Sequence, residues 1–106
     1  MIVTTSDHIA DKKTVKTLGL VRGNTIRARH LGKDIMAGFR GVVGGEISEY
    51  TKLMGESREQ AVDRMVAEAE ALGGNAIVMT RFSTSQVMSG AAELLAYGTA
   101  VVVEPE

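Results

Sequence analysis

The sequence predicts a single two-layer α+β domain over residues 1–106, in which two helices cover one face of an antiparallel or mixed β-sheet. Three observations predict this fold. Alternating patterns typical of strands occupy both ends of the chain. Apolar residues at helical spacing occupy its middle. A length of 106 residues suits one domain with one core, which must be largely aliphatic because only two Tyr, two Phe and no Trp are present.

Two strands are predicted in the first third of the chain. "MIVTT" forms a short strand that ends in a polar turn. "KTLGLVRGNTIRAR" is rich in β-branched residues and alternates in its second half, which predicts a half-exposed strand. One side of that strand carries Ile26 and Ala28, and the other carries Thr25, Arg27 and Arg29. The dipeptide Gly23-Asn24 indicates either a hairpin turn or a bulge within one long strand.

Helical spacing begins at Asp34, a suitable N-cap, and predicts a short helix up to Val43. After Gly44-Gly45 a second helical pattern follows. Its apolar positions are Ile47, Tyr50, Met54, Ala61, Val62, Met65, Val66, Ala69 and Leu72. This pattern predicts either one long helix with a weak point at Gly55 or a helix restarted by a capping box of Ser57 and Gln60. Gly73-Gly74 ends it as a left-handed C-cap.

The last third of the chain is predicted to form two more strands. "NAIVMTRFST" is a buried strand, "SQVMSG" is a loop, and "AAELLAYGTAVVVE" is the final strand. In the first of them, Ala76, Val78 and Thr80 are expected on one face, with Ile77 and Met79 on the other. Gly98 in the final strand indicates a bulge or a close approach of another backbone.

Both faces of the final strand are apolar, and this predicts self-association. Leu95, Val101 and Val103 lie opposite Leu94, Ala96 and Val102. One layer of helices covers only one face of a sheet, so the other face needs a second surface. In so small a chain a second copy is the simplest source of that surface, and we expect a homo-oligomer.

Composition and charge exclude several classes of site. No cysteine is present, which excludes disulfides, thiolate zinc sites and cysteine nucleophiles. The two histidines, His8 and His30, form no metal-binding motif. No apolar run reaches the roughly 20 residues of a membrane span, and "MIVTTSDHIA" lacks the pattern of a signal peptide. We therefore expect a cytoplasmic protein with no metal ligands and no membrane contact.

The net charge of −1 is unevenly distributed along the chain. Seven basic residues and no acid lie in the segment from Lys12 to Lys33: Lys12, Lys13, Lys16, Arg22, Arg27, Arg29 and Lys33. Such a segment can bind a small anion, or it can dock on the acidic face of a neighbouring copy.

The stretch "GFRGVVGGEISEY", residues 38–50, contains the remaining candidate chemistry. Its glycines lack the spacing of a dinucleotide fingerprint or of a P-loop, and they favour a close helix contact followed by a sharp corner. "GFRG" matches the G-x-x-G loop of KH domains, so RNA binding is an alternative, although the overall charge makes nucleic acid an unlikely partner.

Three polar residues of this stretch, Arg40, Glu46 and Tyr50, lie within reach of one another if the corner folds back. Glu46 is in the first turn of its helix, and Tyr50 follows one turn later on the same face. They form either a buried hydrogen-bonded network or the rim of a ligand pocket. A second alternative is an enzyme that uses Glu46 and Tyr50 as acid and base.

The chain closely resembles the YbjQ family in "GGEISEYTKL", "SREQAVDRMVAEAEALGGNAIV" and "YGTAV". The resemblance covers residues 2–103 and implies a dodecin-like α+β fold that assembles as a homopentameric ring. It implies no established activity or cofactor. A heavy-metal-binding label is attached to the family, but this sequence supplies no ligands for it. In a ring, Arg27, Arg29, Arg40 and Glu46 could line a shared cleft, so we expect a binding or scaffold protein with a small anionic or metal-containing ligand at its subunit boundaries.

Overall fold

The computed structural model describes residues 1–28, 48–88 and 90–106, which form a mixed four-stranded sheet and one helix. The elements are β1 (Ile2–Val3), β2 (Lys12–Ala28), α1 (Ser48–Ala71), β3 (Ala76–Met88) and β4 (Ala91–Pro105). The strand order is β1-β3-β4-β2, with β1 parallel to β3 and the other pairs antiparallel. The predicted α+β class with a mixed sheet is confirmed, and the predicted helix at residues 34–43 lies outside the described residues.

Strand β2 is continuous through Gly23-Asn24, where Gly23 pairs with Ala96 and Asn24 with Leu95. The hairpin alternative is therefore wrong, and the register shifts of the strand lie nearer its start, between Thr14 and Lys16 and between Thr17 and Gly19. Gly23 has a packing role instead. A Cβ atom at this position would collide with the backbone oxygen of Ala61 and the backbone nitrogen of Met65. Glycine thus lets α1 cross β2 at backbone distance.

Helix α1 runs without interruption from Ser48 to Ala71, so the long-helix prediction is confirmed and the capping-box alternative is wrong. Its C-terminus has the predicted glycine cap. Gly73 has a φ of +89°, and its N–H donates to the carbonyl oxygen of Glu70 at 2.9 Å. The N–H of Gly74 donates to the carbonyl oxygen of Ala69, also at 2.9 Å. These two hydrogen bonds define a Schellman motif.

The sheet has two different faces. The helix face packs on α1 and forms the larger core cluster: Val21, Ala61, Met65, Ala69, Ile77, Leu94, Ala96 and Ala100. The opposite face, called the open face here, is covered at one end by Ile9, which packs on the smaller cluster of Ala76, Val78, Val101 and Val103. Part of the face that the sequence left uncovered is therefore covered by the chain's own N-terminal segment.

Strand β3 differs from its prediction in two ways. It continues to Met88, so residues 85–88 of the predicted loop "SQVMSG" are strand. Pairing with β4, such as Ser85 with Glu93, outweighs their weak local signal. A register shift also lies between Val78 and Arg81, where Met79 has a φ of 55°. This bulge moves Thr80 away from the face of Val78, which breaks the predicted alternation.

Gly98 of β4 lies opposite this bulge. A Cβ atom added to Gly98 would lie 2.7 Å from Cγ2 of Ile77 and 3.2 Å from Oγ1 of Thr80. The predicted close approach at Gly98 is confirmed, and the bulge belongs to the neighbouring strand. No helix in the described part of the chain is long and apolar enough to cross a membrane.

Candidate anion site at Arg27

Arg27 is the one sequence-predicted site residue whose side chain the structure describes. Tyr50 lies in the first turn of α1, where only the backbone is described. Arg29, Arg40 and Glu46 lie outside the described residues, as does the "GFRG" segment. The structure therefore tests neither the predicted Arg40–Glu46–Tyr50 group nor its enzymatic and RNA-binding alternatives.

Strand alternation directs Arg27 toward α1. Val21, Gly23 and Thr25 are buried on the helix face, and Arg27 follows two residues later on the same face. Pairing with β4 fixes this register, because Thr25 lies opposite Leu94 and Arg27 lies opposite Ala92. Arg27 is half-buried near the C-terminal end of the strand.

Two neutral side chains of α1 hold the guanidinium of Arg27. Its Nε donates a hydrogen bond to Oγ of Ser57 at 2.9 Å, and its Nη2 donates to Oε1 of Gln60 at 2.8 Å. Thr25 Oγ1 donates to the backbone oxygen of Ser57 at 3.3 Å. Ser57 is 1% exposed, so this polar group lies in the interior with its hydroxyl satisfied.

The sequence contains a signal for this arrangement that the capping-box interpretation missed. Apolar residues follow Ser57 at intervals of four positions: Ala61, Met65 and Ala69. All four are buried, so Ser57 is a polar residue in the apolar stripe of α1. A buried hydroxyl requires a partner, and the half-exposed Arg27 supplies it.

Within residues 1–28, 48–88 and 90–106, the guanidinium of Arg27 has no carboxylate partner. The ion pair in this part of the chain joins Asp7 and His8. A serine and a glutamine orient the guanidinium group, and neither of these neutral side chains neutralises its charge. Arginine keeps that charge at all physiological pH values, and its planar fork of N–H donors matches a carboxylate or a phosphate. The arrangement is therefore suited to holding a small anion.

The described residues do not fit a heavy-metal centre. They contain no group of three or more Asp, Glu or His side chains that could hold a metal ion, and the whole chain lacks cysteine. Asp7 and His8 do meet, with Oδ1 2.6 Å from Nδ1. Both side chains are about four-fifths exposed, at 78% and 81%. The hydrogen bond from His8 and its charge lower the pKa of Asp7, but two donors alone do not form a site.

Comparison with known proteins identifies the family. A UPF0145 protein from Methanosarcina acetivorans is 60% identical over 103 residues, and the match covers 97% of each chain. A UPF0145 protein from Dehalococcoides mccartyi is 59% identical over 104 residues, and the match covers 98% of this chain and 100% of the relative. A crystal structure of a protein with unknown function from the DUF74 family of Pediococcus pentosaceus has a TM-score of 0.65 at 16% identity, covers 98% of both chains and supports the fold. The family model YbjQ_1, described as "Putative heavy-metal-binding", matches residues 1–104. The chain belongs to the YbjQ family.

Proposed function

We propose that the protein is a non-enzymatic cytoplasmic homo-oligomer, a pentameric ring by its family resemblance, that acts as a scaffold and binds a small anionic ligand where its copies meet. The observation that carries the proposal is a set of exposed apolar side chains along two strands. Leu20 and Ile26 of β2 are 64% and 59% exposed, and Phe82, Val87 and Met88 of β3 are 49%, 50% and 66% exposed. Several large apolar side chains exposed along each of these strands favour a protein-protein contact.

The sheet edges support association through strand pairing. Strand β2 ends the sheet on one side, with 17 residues of backbone. On the other side, the N-terminal segment forms backbone hydrogen bonds with β3. Within the described residues, these bonds end at Thr80. The following segment "FSTSQVM", residues 82–88, contains neither charge nor proline. A long uncharged edge such as residues 82–88 is a template for pairing with another chain. Pairing of this edge with β2 of a neighbouring copy can join copies into a closed ring.

The ligand component of the proposal rests on Arg27, which lies on the edge strand β2. A copy that pairs along this edge brings its own residues next to the guanidinium. The sequence places Arg29, Arg40, Glu46 and Tyr50 in the same ligand group, and residues from two copies could complete the site. Ser57 and Gln60 would hold Arg27 in position, because their hydrogen bonds limit the orientations of its side chain.

Native mass spectrometry of the freshly purified protein tests both components. We expect a pentamer that carries a reproducible additional mass. A lysine at the β3 edge, Val87→Lys, should dissociate the ring by placing charge in the contact. Ala67→Lys, at an exposed position of α1, is the matched control and should leave the ring intact.

Arg27→Gln separates the ligand from the assembly. This variant removes the positive charge, so we expect loss of the additional mass from an intact ring. A monomeric wild-type protein would overturn the assembly proposal. A ring that retains its additional mass in the Arg27→Gln variant would overturn the role of Arg27 alone.

A further inference from the structure

Three side chains form a row across the open face of the sheet. Tyr97 of β4 lies directly opposite Arg22 of β2 on one side and Arg81 of β3 on the other. Directly opposite residues of antiparallel strands point to the same face, with Cβ atoms about 5 Å apart. The side chain of Tyr97 therefore leaves the sheet between those of Arg22 and Arg81. This row, Arg22–Tyr97–Arg81, is separate from Arg27, which is on the helix face.

The row is accessible in the described structure. Arg22 and Arg81 are exposed and Tyr97 is half-buried. Ile9 covers the open face only over the cluster that contains Val101 and Val103. The pairs next to the row are Leu20–Thr99 on one side and Asn24–Leu95 on the other, so the same-face neighbours of the tyrosine along β4 are Thr99 and the apolar Leu95.

Among the described residues, neither arginine of the row forms an ion pair with an acid, because the ion pair there joins Asp7 and His8. Arg81 is oriented by its own backbone surroundings, since Nη1 donates to the carbonyl oxygens of Thr5 at 2.9 Å and Thr80 at 2.8 Å. The acid on the neighbouring part of this face, Glu93, accepts a hydrogen bond from Asn24 at 3.2 Å. Within the described residues, the positive charges of Arg22 and Arg81 therefore have no ion-pair partner.

We propose that the Arg22–Tyr97–Arg81 row is a binding site for a nucleoside phosphate. The base stacks on the ring of Tyr97, whose π-face accepts any base. The phosphate takes hydrogen bonds from the guanidinium of Arg22 or Arg81, and the second arginine adds a positive charge close to it. Leu95 provides apolar contact for an edge of the base. The ligand supplies a negative charge for the arginines and a planar ring that stacks on Tyr97.

A second copy of the chain is a poorer occupant of this surface. A copy docked face to face about a two-fold axis through the row would bring the same two arginines against their equivalents. Like charges placed together in this way repel, and the carboxylate of Glu93 on this face already accepts a hydrogen bond from Asn24. Pairing through the strand edges leaves the row accessible, so the site is compatible with the assembly proposed above but does not depend on it.

Isothermal titration calorimetry with AMP, adenosine and ribose 5-phosphate tests the site. We expect AMP to bind more tightly than either fragment, because it contains both the base and the phosphate. Arg22→Gln and Arg81→Gln should each weaken AMP binding by about tenfold, the effect of losing a charge-assisted hydrogen bond. Tyr97→Leu should weaken AMP by roughly tenfold and leave ribose 5-phosphate unaffected, because it removes the stacking surface alone.

A control variant tests whether the effect belongs to the row. Arg58→Gln makes the same charge change at an exposed position of α1, on the other side of the sheet, and should leave AMP affinity unchanged. Undetectable AMP binding to the folded wild-type protein, or equal weakening by Arg58→Gln and Arg22→Gln, would overturn the proposal.

The nucleoside phosphate could be a free nucleotide or part of an RNA strand, and a single-stranded oligoadenylate distinguishes these sources. At equal nucleotide concentration, a site for free nucleotides binds AMP at least as tightly as the oligomer. A site for RNA binds the oligomer at least about tenfold more tightly, because further phosphates contact the basic residues of β2. Both results support the row, provided that Tyr97→Leu and Arg22→Gln weaken the binding observed.

Discussion

Where α1 approaches β2 most closely, the paired side chains on the helix face are small, whereas their neighbours in the same strands on the open face are large and polar. Gly23 and Ala96 pair with each other on the helix face, and the next pair along, Arg22 with Tyr97, lies on the open face. Small side chains bring α1 to backbone distance and exclude ligands from that interface. Because side chains alternate along a strand, one set of residues packs on α1 and the other set is available to contact a ligand.

The largest expected effect comes from emptying the helix-face core. Met65 is 0% exposed, and Met65→Ala should lower the free energy of unfolding by about 3 kcal/mol because it leaves a cavity. Leu20→Ala removes a comparable side chain that is 64% exposed on the open face, and it should cost about 0.5 kcal/mol or less. Urea denaturation of both variants measures the contrast. Similar losses in the two would contradict the difference between the faces.

The next effect tests the close approach of α1 to β2. Gly23→Ala places a methyl group against the backbone of Ala61 and Met65, and it should destabilise the fold by about 2 kcal/mol through overpacking. Gly55→Ala is the matched control, since the nearest atom to its new Cβ is Nη2 of Arg58 at 3.9 Å. In the interior of α1 this change should stabilise by about 0.5–1 kcal/mol. Thermal unfolding followed by circular dichroism should show opposite shifts in Tm.

A smaller effect is expected where the helix face is polar. Ser57→Ala removes the acceptor for Nε of Arg27, and it should cost about 1 kcal/mol because the half-buried N–H loses its partner. Ser85→Ala, at an exposed position of β3, is the control and should change the unfolding free energy by less than about 0.5 kcal/mol. Chemical denaturation of the pair measures the contribution of the Arg27 contact. Equal stability of the two variants would show that Ser57 does not stabilise the fold through Arg27.

The smallest effect concerns the N-terminal segment that covers one end of the open face. His8 lowers the pKa of Asp7 below its ordinary value of 3.8. A carboxylate whose folded-state pKa is depressed stabilises the fold above its unfolded pKa, and this contribution is lost as the pH falls through the folded pKa. We expect Asp7→Asn to reduce stability slightly near neutral pH and to have no effect in strong acid. Denaturation curves at several pH values measure this, and a loss that persists in strong acid would contradict it.

Much of the fold was predictable from local patterns because those signals act over short distances. Helical spacing through Gly55 and the Gly73-Gly74 cap predicted α1 and its end, and both are confirmed. Alternation predicted the strands, and the apolar faces of β4 predicted packing on both sides. The sequence also identified Arg27 as a candidate ligand residue, since it lies in the basic segment from Lys12 to Lys33.

Other features were decided only by tertiary pairing. Nothing local extends β3 to Met88 or places its bulge at Met79, because both depend on the hydrogen bonds that β4 offers. The partnership of Arg27 with Ser57 joins residues 30 positions apart, and helical spacing alone suggested a cap instead.

The Arg22–Tyr97–Arg81 row likewise exists only through the register of three strands. By itself, the sequence determined the class of fold, the helix and its cap, and the absence of cysteine chemistry. The tertiary structure decided which polar residues meet, because side-chain neighbours across a sheet are set by pairing between segments that are distant along the chain.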